Sequence, residues 1–448
     1  MRPGSVHSGR ICQRISMAFC GIALVTSTFA ADSPDAPANW PLWLDIPVAN
    51  DVAPAQFALP ALRSVASDAT WLDRWGRVPP SIAWTDIVLE LIVKYQQNPL
   101  RTTRTLALLH AAMHDALALC SRNRCQPAES RIAQHTAAGR ILKHMYPQES
   151  PGRFEALARS AALASVIAAG FEENTNNGWR WGVTAAKAAI ARALDDGADR
   201  PRDLSARPRE RPGIWRATPP LNIYDPGEPR AGEWRTWVLK SGPELEPPPP
   251  VEYGSAAYWA EAEEVWRVGN ALTAEQKKIA EEWNLDLGTV TPAGVWNLHA
   301  RREALARELD MAQTTRLFAA LNVAMTDALI SCWSAKFRLW TQRPITAIRE
   351  KFDAKFLPHI ITPPFPSYVS GHSTASGAAS VVLSAFFPEK AKDFERMANE
   401  AAVSRLYGGI HFTSDNAEGL ALGHRIGERV VARLALAREA RNQRRTHP

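Results

Sequence analysis

The chain has 448 residues, 46% hydrophobic and 22% charged, with a formal net charge of +6. This is ordinary globular composition with ample apolar material for a large core, and it excludes a disordered or fibrous chain. Basic and acidic residues are interspersed, which excludes a nucleic-acid footprint, while the mild positive balance favours anionic substrates.

Arg2, Arg10 and Arg14 precede an apolar run from Met17 to Ala30, closed by Ala30-Ala31. That order predicts a cleaved export signal over 1–31, and hence a secreted or periplasmic protein. No later stretch reaches the apolar length of a membrane span, so no transmembrane segment is expected in the mature chain. Cys120 and Cys125 could close a small disulfide loop in an oxidising compartment. Cys332 is expected to be a buried small hydrophobe, and the absence of a CxxC pair argues against structural zinc.

Helical periodicity rich in Ala and Leu covers 82–120, 130–147, 152–170, 177–195, 255–285, 297–333, 372–387, 390–406 and 416–440. Strand-like alternation is almost absent, so an all-α fold is expected. A first bundle over 32–200 is followed by a Pro- and Trp-rich crossover over 201–254, which cannot be helical and whose aromatics predict an ordered segment packed on the surface. A second bundle over 255–440 and a solvated basic tail over 441–448 complete the chain. Arg104–Cys120 aligns without gaps to Arg316–Cys332, with 9 of 17 positions identical. Met, Asp and Cys fall together in that match, which favours duplication over shared composition and makes the two bundles related.

His110 and His114 lie one turn apart in the first copy, where a metal pair is conceivable. With no Glu between them, no third ligand and no histidine in the second copy, a structural role is expected.

The chemistry is expected in the second bundle. Lys336 and Arg343 are seven residues apart, which on one helix is two turns, about 10 Å along one face. Pro344 is expected to end that helix at Arg343. Two cations there suit a tetrahedral oxyanion, Arg by planar two-point contacts and Lys as a point charge. Ser370-Gly371-His372 follows a Pro-rich loop and opens a small-residue helix, a place with free N–H groups and a positive dipole end. Gly371 would let the backbone approach a ligand, the Ser370 hydroxyl would add a donor, and His372 could serve as a general acid. In Ser404-Arg405-Leu-Tyr-Gly-Gly-Ile-His411, Arg405 adds a third cation and the glycines turn His411 back towards the site. Asp415 is spaced to fix the other imidazole nitrogen of His411. A histidine so oriented can attack phosphorus or ligate a metal oxyanion.

These three segments, KxxxxxxRP, SGH and SRxxxxxHxxxD, resemble the signature shared by type 2 phosphatidic acid phosphatases and vanadium-dependent haloperoxidases. The resemblance covers roughly residues 80 to 430 and is nearest to bacterial haloperoxidase-like proteins. It implies an all-α fold of two related helical bundles, with Lys336, Arg343, Ser370, Gly371 and Arg405 holding phosphate or vanadate oxygens. His411 would be the axial vanadium ligand or the phosphate nucleophile, Asp415 its orienter, and His372 the acid–base group. Trp333 and Phe365 match positions that lie beside the halide in chloroperoxidases; equally, they could be a plain hydrophobic wall. Val369 stands where both families usually have proline, and Ser373 is the more phosphatase-like residue after the histidine. The favoured reading is a vanadate-dependent haloperoxidase acting on hydrogen peroxide and halide. The alternative is an acid phosphatase that hydrolyses phosphate monoesters through a phosphohistidine. A non-enzymatic anion-binding protein would leave His372 and His411 idle.

Overall fold

Short-range capping signals decide where the helices begin and end, and these break the predicted segments into more pieces than periodicity alone suggests. The computed structural model of the chain describes residues 40–46, 69–170 and 176–446. Its helices, in order, are α1 Ala69–Leu72, α2 Pro80–Lys94, α3 Pro99–Arg122, α4 Pro127–Met145, α5 Arg153–Ala168, α6 Asn176–Asp195 and α7 Ala256–Asn270. There follow α8 Ala274–Glu282, α9 Thr291–Ala306, α10 Met311–Leu339, α11 Pro344–Lys351, α12 Gly371–Phe386, α13 Ala391–Tyr407 and α14 Thr413–Thr446. A single isolated bridge, Ile214 to Thr341, is the only strand-like pairing among the described residues.

Three long segments divide where a cap intervenes. The 82–120 segment splits at Asn98, whose side chain accepts from Arg101 N ahead of Pro99. The 255–285 segment splits at Thr273, and 297–333 at Asp310; each forms a capping box with the Gln three residues on. Such caps satisfy N–H groups that the first turn leaves orphaned. The C-terminal helix continues to Thr446, through most of the expected tail. The expected export segment lies outside the described residues.

The duplication extends from the helices to their surroundings. Trp84 Nε1 donates to His135 Nδ1 at 3.0 Å, and Trp296 Nε1 donates to Ser376 Oγ at the same distance. Arg104 reaches the carbonyl of Ala193 at the end of α6, as Arg316 reaches that of Leu434 in α14. Arg192 covers Trp237 and donates to the Thr236 carbonyl, while Arg433 covers Trp43 and donates to the Leu42 carbonyl. A Cβ on Gly182 would meet Ala133 O at 2.4 Å, and one on Gly423 would meet Thr374 O at 2.2 Å, so α4 with α6 and α12 with α14 cross in the same close way. One continuous core runs through both copies, from Trp84, Leu106 and Met113 to Trp296, Phe318 and Met325.

The copies differ at one helix start. Gly178 approaches the Glu129 carbonyl as Gly419 approaches that of Ser370. Glu129 bends its carboxylate back onto Gln126 N at 2.9 Å, so the first-bundle helix start is closed by its own acid. At the equivalent start of the second bundle the cap is the uncharged Ser370, whose hydroxyl accepts from Ser373 N, so no carboxylate closes that helix start.

The crossover includes two short 3-10 turns, Ala231–Glu233 and Gly242–Leu245, where none was expected. Its interior residues are more than surface packing: Trp215 and Trp234 are buried, and Gly227 reaches the residues described next. His110 Nε2 meets Thr85 Oγ1 at 3.1 Å and His114 Nδ1 meets Asp115 Oδ1 at 2.8 Å, so both have protein partners. Cys120 and Cys125 are free thiols, as is Cys332, so the loop that could have been bridged is held instead by Cys125 N donating to Cys120 O.

Candidate active site

Four elements converge: the last turn of α10, the loop ahead of α11, the start of α12, and the α13–α14 junction. α10 ends at Leu339, with Trp340 in the left-handed region at φ 51°. Arg343 is therefore not on the same helix face as Lys336, contrary to the seven-residue spacing. Its backbone is extended, φ −83° and ψ 155°, as a residue before proline prefers, and it caps α11. The chain reversal at Trp340 brings the two cations together from different directions.

Lys336 is fully buried and donates to the carbonyls of Pro366 (2.9 Å) and Ser367 (2.6 Å). Burial pushes its pKa down to about 7, helped by the nearby Arg343. Arg343 donates through Nε to Phe365 O at 2.8 Å and through Nη1 to Ile410 O at 2.8 Å. Its Nη1 also lies 3.0 Å from His411 Nε2. Arginine can only donate, so Nε2 is the acceptor and the proton of the neutral ring sits on Nδ1. That proton points at Asp415 Oδ2, 2.9 Å away. His411 is held neutral, its pKa well below the usual value through burial and then through Arg343, Lys336 and Arg405. The result is an imidazole whose unprotonated Nε2 faces a cluster of cations and accepts from one of them, Arg343.

Arg405 closes the cluster from the last turn of α13, anchored by Nη1 on Trp283 O at 2.6 Å. Burial lowers its pKa to about 9 and that of Arg343 to about 10. Both are still cations at neutral pH, and among the described residues the carboxylate that reaches the cluster is Asp415, through His411 Nδ1. Three buried polar atoms there have no hydrogen-bond partner: Arg343 Nη2, Arg405 Nε and His372 Nε2. Unpaired buried polar groups are costly, and an oxyanion among these three would give them partners.

Ser370 is the N-cap of α12, its Oγ accepting from Ser373 N at 3.4 Å, which leaves the hydroxyl hydrogen free to donate. Ser370 N donates to Asp415 O at 2.9 Å, tying α12 to α14. Gly371 has another reason to be glycine than the expected close approach of backbone to ligand. A Cβ there would meet Trp333 Cζ3 at 3.2 Å. His372 follows in the first turn, its pKa well below the usual value through burial and then the Arg405 charge.

Trp333 and Phe365 form one wall, ring centroids 4.9 Å apart. Phe365 lies between the cations, 5.3 Å from Lys336 Nζ and 4.9 Å from Arg343 Cζ. The crossover holds this wall in place: Trp333 Nε1 donates to Gly227 O at 3.2 Å, and Gly227 N to Pro364 O at 2.9 Å. All ten residues expected from sequence thus fall in one locality. Sequence reasoning missed Ser367, which no motif spacing singles out. It also missed the Trp283 carbonyl that anchors Arg405.

Residues 316–393 and 388–439 match the family model described as VCPO second helical-bundle domain. Vanadium chloroperoxidase of Curvularia inaequalis is 29% identical over 123 residues, 22% of this chain and 20% of that protein's length. Among solved structures, a bacterial vanadium-dependent iodoperoxidase is similar at TM-score 0.66 and 27% identity, covering 80% of this chain and 96% of its own. The apo form of a bacterial vanadium-dependent chloroperoxidase is similar in fold at TM-score 0.60 and 18% identity, covering 75% of this chain and 94% of its own.

Proposed function

We propose that the chain, whose residues 316–393 and 388–439 match the second helical-bundle domain model and whose fold is similar to that of a bacterial vanadium-dependent iodoperoxidase, is a vanadate-dependent haloperoxidase, oxidising halide with hydrogen peroxide. The observation that carries this reading is the cation cluster around an unprotonated His411 Nε2, with Arg343 Nη2 and Arg405 Nε buried and unpartnered. Those residues fit vanadate: a nitrogen lone pair to ligate the metal, and guanidinium donors for its oxygens. Lys336, Arg343, Arg405, Ser370 and the N-terminus of α12 would hold the oxygens, and His411 would be the ligand.

Bound vanadate supplies a Lewis acid at which peroxide becomes reactive towards halide. The protein's part is electrostatic and positional. Lys336 and the two arginines neutralise the oxyanion in a dry site, where their charges act strongly. Burial and the Arg405 charge hold the pKa of His372 well below the usual value and its Nε2 is unpartnered, so that atom would accept a proton from hydrogen peroxide and give it back later in the cycle. Asp415 keeps the proton of His411 on Nδ1. Trp333 and Phe365 exclude water where a large, weakly hydrated anion would lie.

The same His411 geometry supports phosphate monoester hydrolysis, with Nε2 as nucleophile. The likeness to an iodoperoxidase over nearly its whole length favours the halide reading. The test is a paired assay on purified protein before and after vanadate loading. Vanadate-dependent iodide or bromide oxidation, with loss of any p-nitrophenyl phosphate hydrolysis, is expected. Efficient phosphatase turnover without vanadate, and no halide oxidation with it, would decide for the phosphatase.

A further inference from the structure

Ser367 lies three residues before the Ser-Gly-His motif and is fully buried. Its hydroxyl donates to Asp415 Oδ2 at 2.5 Å, the same oxygen that faces His411 Nδ1 at 2.9 Å. Phe412 N donates to that oxygen too, at 3.2 Å. The Ser367 hydroxyl is only 3.5 Å from His411 Nδ1, so the three side chains form a compact triangle. From the same residue the backbone carbonyl accepts Lys336 Nζ at 2.6 Å, and Ser367 N donates to Thr341 O at 3.0 Å. One residue therefore touches the supports of both groups that would flank an oxyanion, the ammonium and the imidazole.

A carboxylate one helical turn from His411 is not by itself oriented. Its two oxygens are equivalent until something distinguishes them, and rotation about the last side-chain bond of Asp is soft. Of the groups on Oδ2 besides His411, Phe412 N is a fixed backbone donor at the longer distance, and the Ser367 hydroxyl is the short one. We propose that Ser367 is a positioning residue. Its hydroxyl selects Oδ2 and holds the Asp415 plane so that the His411 proton stays on Nδ1 and Nε2 presents its lone pair to the cation cluster. Its carbonyl, taking Lys336, fixes the ammonium relative to that lone pair. The proposal rests on the reading of His411 as the oxyanion-facing group but not on which reaction follows.

Replacing Ser367 by Ala removes the hydroxyl and keeps the carbonyl, so the two supports separate. Without the hydroxyl, the carboxylate can turn and the second ring tautomer becomes accessible. Partners that orient a ligating histidine typically change ligand affinity by about 10- to 100-fold when removed. The experiment uses anion-free full-length protein at one fixed pH. It reads the ring-nitrogen 15N shifts of His411, assigned with His411→Gln, and the affinity for inorganic vanadate by calorimetry. In the wild type one protonated Nδ1 and one unprotonated Nε2 are expected. In Ser367→Ala the two signals should move towards averaged positions, and vanadate affinity should fall about tenfold or more. Ser367→Thr, which retains a hydroxyl, should restore both; Ser367→Cys, close in size with a weak donor, should behave like Ala and serves if Ala fails to fold. Unchanged 15N shifts and unchanged vanadate affinity in the Ala or Cys variant would overturn the proposal. So would failure of Thr to rescue either readout in a protein that melts like the wild type. Neither readout needs turnover, so an enzyme that oxidises no halide would defeat the functional reading and leave this one standing.

Discussion

Asp115 and Asp327 hold equivalent positions in the two bundles, and each buried carboxylate gathers the backbone N–H groups of a tryptophan-bearing segment laid across its helix. Asp115 accepts from Trp43 N and Leu44 N, the latter at 2.8 Å. Asp327 accepts from Trp237, Val238 and Leu239 N at 2.7, 2.8 and 3.1 Å. The second segment leads from the loop that braces Trp333, so a structural device shared by both copies also supports the site in one of them. Asp327→Ala would leave three donors unsatisfied, at about 1–3 kcal/mol each, partly offset by removing a buried charge. A loss of about 3 kcal/mol or more in urea unfolding is expected, with Asp327→Asn in between. Wild-type stability in Asp327→Ala would show that the segment is held by other contacts.

The two histidines should separate cleanly under mutation. His411→Ala removes the atom that is ligand in one reading and nucleophile in the other, so vanadate-dependent peroxidation and phosphatase turnover should both vanish. His372→Ala should leave oxyanion affinity largely intact and lower turnover by about 10²- to 10⁴-fold, since its task is proton transfer. Substantial activity of either kind in His411→Ala contradicts the assignment.

Lys336 sets a pH dependence. Its pKa in the folded, anion-free protein is about 7 against the ordinary 10.5, with burial as the main cause. The ammonium is present below pH 7 and lost as pH rises through it. Affinity for sulfate, whose own charge is constant over this range, should therefore fall as pH rises through 7, and Lys336→Gln should bind weakly without that step. The linked stability has the opposite sense. Between about pH 7 and 10.5 the unfolded chain binds more protons than the folded one, so this group makes the anion-free protein more stable as pH rises across that window. Calorimetric titrations across the range, alongside thermal melts, check both signs.

Phe365 lies against both Lys336 and Arg343 and lowers the local dielectric there. Phe365→His would admit water and weaken the effect of those charges. The halide that is harder to oxidise should lose more, so the chloride rate should fall more steeply than the bromide rate, and bromide more steeply than iodide. Equal losses across the halides, measured on vanadate-loaded protein, would make Trp333 and Phe365 a plain wall.

The sequence by itself determined the helical class, the internal repeat and which residues to look for at a candidate site, because each of these is written in local pattern. Helical periodicity needs only neighbouring residues. The three motif segments carry Lys336, Arg343, Ser370, His372, Arg405, His411 and Asp415 as residue types whose shared chemistry is legible without coordinates. Even the helix breaks at Asn98, Thr273 and Asp310 are local signals, outweighed in a periodicity reading by the apolar pattern on either side. Tertiary structure alone decided how these pieces face one another. The reversal at Trp340 takes Arg343 off the Lys336 helix, because a left-handed residue followed by a pre-proline residue cannot continue it. Gly371 is small because Trp333, nearly forty residues away, fills the space of its side chain. Ser367 gained its place only when the loop before α12 packed on the first turn of α14. A buried polar group must find its partner wherever the fold puts one, and that pairing is set by contacts between distant segments, which no spacing in the sequence records.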